Sequence, residues 1–427
     1  MKFISTRGQT APTSLSEAIA AGLAPDGGLY VPESLPRLTL DDFDGKTSLP
    51  DIAACLLRPF FAGDALAAEL DAICAEAFDF PAPMRALGDG TLLLELFHGP
   101  TAAFKDFGAR FLAACLMRVR GRADKPLTII VATSGDTGAA VGGAFLGQPN
   151  LRVVILYPDG RVSPRQAHQL GAFGGNVRAL RVAGSFDDCQ ALVKRALNDA
   201  PLHARLPLSS ANSISLGRLL PQMSYYAKAA LDHFRTQGEK LNFAIPTGNL
   251  GNALACILAR TIGLPIGEVL LATNANAVLP EFFGGADYRP LASVATLANA
   301  MDVGAPSNFE RLRWLYPDDA TLRESFRAIS VDDAAIRNTI GEVWNQHHVA
   351  ICPHTATAVF ALDSLALDGS WAVVATAHPA KFETIVEPLI GEAVAPPPAL
   401  AELLARPAHA EPIVADYEAL TATLAGR

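Results

Sequence analysis

The sequence predicts an α/β protein with two parallel-sheet domains and, ahead of them, a separate N-terminal domain. Three features carry this expectation. Seven short apolar runs bounded by turn residues read as strands: "TLLLELF" (91–97), "LTIIVAT" (127–133), "LRVVILY" (151–157), "NVRALRV" (176–182), "LNFAIP" (241–246), "EVLLAT" (268–273) and "WAVVAT" (371–376). Most run into a segment of helical spacing, as "FDDCQALVKRAL" follows "NVRALRV", and such alternation builds parallel sheets because each parallel neighbour needs a crossover. The first 90 residues lack that rhythm.

Residues 1–90 are expected to form the N-terminal domain. There "SLSEAIAAGLAPDGGLYVPESLPRL" is a short helix running into Pro/Gly-rich turns, and "DIAACLLRPFFAGDALAAELDAICAEAF" is helical. A large α/β domain takes 91–130 and 211–427, with a mostly helical insertion at about 284–345 over the site, and a small α/β domain takes 131–210. No fixed-period repeat interrupts this order, and "AVAPPPALAELLA" is proline punctuation before a terminal helix.

A chain of 427 residues, 50% apolar and 18% charged, is long enough for two or three domains with sizeable cores. No window reaches about eighteen uninterrupted apolar residues, and "MKFISTRGQT" has neither a signal-peptide nor a transit-peptide pattern. A cytoplasmic location is expected. The six cysteines, at 55, 74, 115, 189, 256 and 352, form no CxxC pair, which argues for reduced thiols and against a metal cage or disulfide framework. A net charge of −9 without a basic run offers no footprint for nucleic acid. Small-molecule chemistry remains, in a monomer or homodimer with no nucleic-acid or membrane partner.

Two strand-to-helix junctions are suited to anions. At "TIIVATSGDTGAAVGGAF" the strand ends at Thr133 and a helix begins near Thr137, with Ser134, Gly135 and Asp136 in the turn. At "NFAIPTGNLGNALACILA" the strand ends at Pro246 and a helix begins near Leu250. Each leaves unpaired N–H groups at a positive helix end. In the second loop Gly248 and Gly251 allow close approach of a phosphate, and Thr247, Asn249 and Asn252 offer side-chain donors. Read alone, that loop is equally a Gly/Asn turn before a capped helix, being neither GxGxxG nor a Walker loop.

"LFHGPTAAFKDFGARFL" sets Lys105 between Phe104 and Phe107 in the first turn of a helix capped by Thr101. Such a lysine is ordinarily a solvated surface charge. Here the positive helix end and the apolar crowding both depress its pKa and raise the fraction of neutral, nucleophilic amine. One reactive lysine, a phosphate loop and a second anion loop are the parts of a pyridoxal-phosphate enzyme.

These motifs, with "ISTRG" and "LSEAIAAGLAPDGGLYVPE" before them and "NSISLGRLLPQ" and "TAHPAKFETIVEP" among them, run in order along nearly the whole chain. The chain resembles threonine synthases of the bacterial and fungal long-chain type, which are fold-type II pyridoxal-phosphate enzymes with a tryptophan synthase β-like fold. The resemblance implies that Lys105 is the Schiff-base lysine, that Gly248, Asn249, Leu250, Gly251 and Asn252 hold the cofactor phosphate, and that Thr376 hydrogen-bonds the pyridine nitrogen. The implied activity is that of a lyase converting O-phospho-L-homoserine and water to L-threonine and phosphate, the last step of threonine biosynthesis. Lys105 is then base as well as anchor. The substrate carboxylate is expected on Ser134, Gly135 and Thr137, and the substrate phosphate on Asn212, Ser213 and Arg218, with Lys381 on the opposite wall.

Two positions depart from the pattern. Many fold-type II enzymes have asparagine where this chain has Asp136, beside the cofactor's phenolic oxygen. Asp136 is therefore either protonated, turned away, or an acceptor from that phenol. Ser215 is a shorter donor where relatives often carry a second asparagine. His98 and His378 flank the site as loop residues, "CPHTATAVFAL" reads as a helix start capped by Thr355 or Thr357, and Tyr225 and Tyr226 read as packing. The alternatives are a phospholyase releasing 2-ketobutyrate, a threonine dehydratase, and a non-catalytic metabolite-binding relative. The N-terminal motif disfavours the dehydratase, and retention of Lys105 and both loops disfavours the last.

Overall fold

The computed structural model describes residues 1–88, 90–120 and 126–425. Two sheets organise them. The larger runs, edge to edge, Arg327–Ser330, Ile266–Thr273, Leu241–Pro246, Trp371–Ala375, Thr91–Glu95 and Met84–Gly88. All its neighbours are parallel except the last pair, Met84–Gly88 with Thr91–Glu95. The smaller sheet, all parallel, runs Glu411–Val414, Val177–Ala183, Leu151–Pro158, Leu127–Ala132 and Leu208–Ser209. Leu127–Ala132 and Trp371–Ala375 are buried at every position, which is why they read in sequence as unbroken apolar runs: helices cover both faces of a parallel sheet.

All seven expected strands are present. The differences lie at sheet edges. Glu411–Val414 joins the smaller sheet, although the chain beyond 211 was expected to belong wholly to the large domain. Ile413 enters the apolar cluster of Leu180, Val182 and Leu420, while Arg178 Nη2 meets Glu411 Oε2 at 2.7 Å. Met84–Gly88 lies before residue 90 yet is an edge of the larger sheet, and Arg327–Ser330 interrupts the insertion expected to be helical. Edge strands are half-exposed and short, so they carry little apolar signal.

The N-terminal segment contributes a two-stranded antiparallel pair, Phe3–Ser5 with Tyr30–Pro32, and helices that pack on Lys105–Arg120. Phe61 and Phe78 stand against Phe111, and Phe80 lies 4.6 Å from Phe107 between ring centres. Helix starts follow capping chemistry: Ser14, Ser163 and Ser185 each close a capping box. The helix Pro353–Asp363 is capped by Cys352, whose sulfur accepts from the Thr355 N–H, and not by Thr355 or Thr357. No described helix is long and apolar enough to cross a membrane.

Candidate active site

The helix of Lys105–Arg120 begins at the lysine itself. Thr101 does not cap it. The helix's second residue, Asp106, turns back and accepts from the Thr101 N–H at 2.9 Å and from its hydroxyl at 2.5 Å. The loop before Lys105 is laced to the segment after Trp371–Ala375: the N–H of Leu96 donates to Ala375 O, that of His378 to Ala102 O, and that of Phe104 to Thr376 O at 2.8 Å. This lacing forces Ala102 into the left-handed region at φ 57°, and it fixes buried Thr376 next to the base of the lysine.

Burial pulls the Lys105 ammonium down to about 8; the carboxylate of Asp136 opposes this, and the charges of Arg218 and Lys381 assist it. Roughly a tenth of the lysine is then free amine at pH 7, far more than at an ordinary lysine.

The first anion loop differs from expectation in one donor. Its helix runs Asp136–Phe145, with Gly135 as N-cap at φ 130°. Thr133 Oγ1 already accepts from the N–H groups of Gly135 (2.9 Å) and Gly138 (2.8 Å). Gly135 thus has no free donor for a carboxylate, which leaves Ser134, Asp136 and Thr137. Gly135 is needed for another reason: a Cβ there would stand 2.5 Å from Gln166 Nε2.

In the second loop Leu250 sits at φ 64° as N-cap of the helix Gly251–Thr261. The N–H groups opening that helix have no intrahelical partner. Asn249 Nδ2 donates to Ser213 Oγ at 2.8 Å, so Ser213 lies beside this loop. Tyr225 and Tyr226, expected only to pack, both bring their hydroxyls to Asn252 Oδ1, at 2.5 and 2.9 Å. The buried Nδ2 of Asn252 is left without a partner, as is the Oγ of Ser215, two residues after Ser213.

Arg218 is fully buried against the helix of Lys105, where a Cβ on Gly108 would lie 3.2 Å from its Nε. Its Nη1 donates to Ala211 O at 2.6 Å and its Nε has no partner. No carboxylate pairs with it among the described residues, and burial pulls it down to about 10. Asn212 lies partly buried six residues earlier in the same segment.

Lys381, expected to face the substrate phosphate, is instead engaged. Its Nζ lies 2.7 Å from Asp136 Oδ1 and donates to Thr101 O at 2.9 Å. Both side chains are buried, at 1% and 4% exposure. Burial alone would raise the Asp136 carboxyl, but the charges of Lys381 and Lys105 outweigh it and hold Asp136 far below the usual carboxylate range. Gln166 Nε2 donates to the same oxygen at 3.1 Å. The ion pair with Lys381 thus favours the ionised carboxylate.

The sequence did not reveal His354 or the turn Asn299–Met301. His354 is buried, and its Nε2 accepts from the Ala300 N–H at 3.1 Å. Burial drives its pKa down to about 4, with Asp136 opposing and Lys105 and Lys381 assisting. His98 is paired with Glu95 at the surface, and His378 meets Phe97 edge-to-face and caps the turn Pro379–Phe382.

A lysine with a depressed pKa, a glycine loop with unpartnered amide donors, and a buried hydroxyl residue laced to the lysine fit an aldehyde-bearing phosphate cofactor. The match to the family of pyridoxal-phosphate dependent enzymes spans residues 80–377, and the chain belongs to that class. Residues 2–78 match the threonine synthase N terminus and 355–424 the threonine synthase C-terminal region. The chain is 39% identical to the threonine synthase of Escherichia coli over 98% of both chains, whose crystal structure superposes with a TM-score of 0.91 over 99% of both. A pyridoxal-phosphate-bound threonine synthase from Brucella melitensis is 34% identical, with a TM-score of 0.91 over 99% of this chain and 98% of that one. Within the class, the chain is a member of the threonine synthase family.

Proposed function

We propose that the chain converts O-phospho-L-homoserine and water to L-threonine and inorganic phosphate. The observation that carries this reading is the placement of Lys105, its ammonium drawn down to about 8 by burial, within electrostatic reach of buried Asp136, Arg218 and Lys381. Lys105 would attach pyridoxal phosphate, Gly248–Asn252 would hold its phosphate and Thr376 would meet its ring nitrogen. When bound, the cofactor supplies an electron sink for carbanions next to the substrate nitrogen.

The chain's own residues do the rest. The Lys105 Nζ takes the proton from the substrate α-carbon. The free N–H groups of Ser134, Asp136 and Thr137 receive the substrate carboxylate at a helix N-terminus. Arg218, a guanidinium with an unpartnered buried N–H, faces the leaving phosphate. Asp136, kept ionised by Lys381, would accept from the phenol of a bound cofactor and could not donate to it. A cytoplasmic location and a monomeric or homodimeric state belong to the same reading.

Incubating the cofactor-loaded protein with O-phospho-L-homoserine tests the proposal. Threonine and phosphate should form in equal amounts. 2-Ketobutyrate as the main product would make the chain a phospholyase, and absence of any product would make it a binding protein.

A further inference from the structure

The segment between Val294 and Asn308 touches both anion loops. Asn299 Nδ2 donates to Ser134 O at 3.4 Å, in the loop that opens Asp136–Phe145. Two residues on, the backbone of Met301 lies so close to Gly248 that a Cβ there would stand 2.7 Å from Met301 Cα. The Ser307 N–H donates to Asn249 Oδ1 at 2.6 Å, and Asn308 Nδ2 donates to Asn249 O at 3.0 Å. One stretch of chain therefore fixes the distance between a loop on the smaller sheet and a loop on the larger.

Anchors on two sides hold this stretch. On the outer side, Asn276 Oδ1 accepts from the Val294 N–H, and Asp302 accepts from Asn274 Nδ2 at 2.8 Å and Thr296 Oγ1 at 2.7 Å. On the inner side Asn274 Nδ2 donates to Ala298 O and the Leu297 N–H donates to Asp333 Oδ1, while the turn itself is held by His354, whose Nε2 accepts the Ala300 N–H. Because Nε2 accepts, the ring proton sits on Nδ1, toward Cys352 Sγ at 3.9 Å. Replacing the ring by an apolar side chain would leave the Ala300 N–H without an acceptor inside the protein.

We propose that His354 is a positioning residue: through the Ala300 N–H it seats the Asn299–Met301 turn as a brace across the two anion loops, and so sets substrate affinity. The proposal rests on the function proposed above, in that the braced loops are read as the substrate carboxylate site and the cofactor phosphate site.

Its test compares His354→Leu, which removes the acceptor, with His354→Gln, which keeps an acceptor at similar reach. Hydrogen exchange over residues 296–303 of the cofactor-loaded protein should be faster by about tenfold in the leucine variant and near the parent rate in the glutamine variant. KM for O-phospho-L-homoserine should rise about tenfold with leucine, kcat should move less than about threefold, and glutamine should restore most of the difference. Asn299→Ala, at a partly exposed position, removes the far contact without disturbing the core and should raise KM in the same sense, which keeps the test alive if His354→Leu does not fold. Unchanged exchange and unchanged KM in the leucine and alanine variants of an active parent would overturn the brace. An inactive parent would instead overturn the function, and the exchange comparison would still read the brace.

Discussion

The two anion loops share a topology and differ in chemistry. Each follows a buried parallel strand and opens a helix, yet the loop after Leu127–Ala132 has part of its donor set consumed internally by Thr133 and carries an ionised Asp136. The loop after Leu241–Pro246 has no carboxylate, and its surplus donor, Asn252 Nδ2, is kept free while two tyrosines occupy the amide oxygen. A helix N-terminus alone therefore does not define an anion site. In the proposed reading the first loop would take an anion beside a carboxylate that Lys381 neutralises, and the second would take a dianion with no help from a cation.

Four experiments would break or sharpen this contrast. Lys105→Ala removes the group both loops serve, and kcat should fall by at least about a thousandfold with the fold intact, as circular dichroism and a steady-state assay would show. Residual turnover at a tenth of the parent rate would mean that another amine does the work.

Lys381→Met strands the Asp136 carboxylate in the interior. It should cost about 3–5 kcal/mol in denaturant unfolding, because one charge of a buried pair is left uncompensated. The same change removes a positive neighbour of Lys105 and unmasks a negative one, so the Lys105 titration should move above about 8. The rate of pyridoxal-phosphate uptake by the apoprotein, which needs the free amine, should rise through pH 8 in the parent and at higher pH in the variant. An unshifted profile would show that the pair does not act on Lys105.

Arg218→Ala should lower kcat/KM for O-phospho-L-homoserine by ten- to a thousandfold, about 1.4–4 kcal/mol, and weaken inhibition by inorganic phosphate. If phosphate inhibition is unchanged, the guanidinium serves the helix packing at Gly108 alone.

The smallest effect separates two glycines of one loop. At Gly248 a methyl group meets the backbone of Met301, which cannot yield, whereas at Gly251 the nearest atom is the side-chain nitrogen of Asn308 at 3.3 Å. Gly248→Ala should weaken cofactor binding by about 1–3 kcal/mol, and Gly251→Ala by less. Fluorescence titration with pyridoxal phosphate ranks them, and a reversed order would place the tight approach at Gly251.

Central strands were legible because burial on both faces writes them as apolar runs; Leu241–Pro246 has the bounds its sequence suggests. Glu411–Val414, half-exposed and only four residues long, was not. Lys105, Thr376 and both loops stand out because their chemistry sits in short local motifs. The partner of Lys381 does not, since Asp136 lies far away in sequence and only the fold joins them. His354 was passed over for a similar reason: its acceptor nitrogen serves an amide 54 residues away, and nothing around "CPHTATA" announces it.

The pairing of Glu411–Val414 with Val177–Ala183 also bears on how the chain is made. A polypeptide leaves the ribosome from its N-terminus, so four strands of the smaller sheet are complete more than two hundred residues before the fifth, counting from Leu208–Ser209 to Glu411–Val414. Throughout that interval the edge of Val177–Ala183 presents unpaired N–H and C=O groups, the kind of surface on which nascent chains pair with one another. Glu411–Val414, translated long after the other four strands, closes that edge, so this short late strand guards the sheet against aggregation during synthesis.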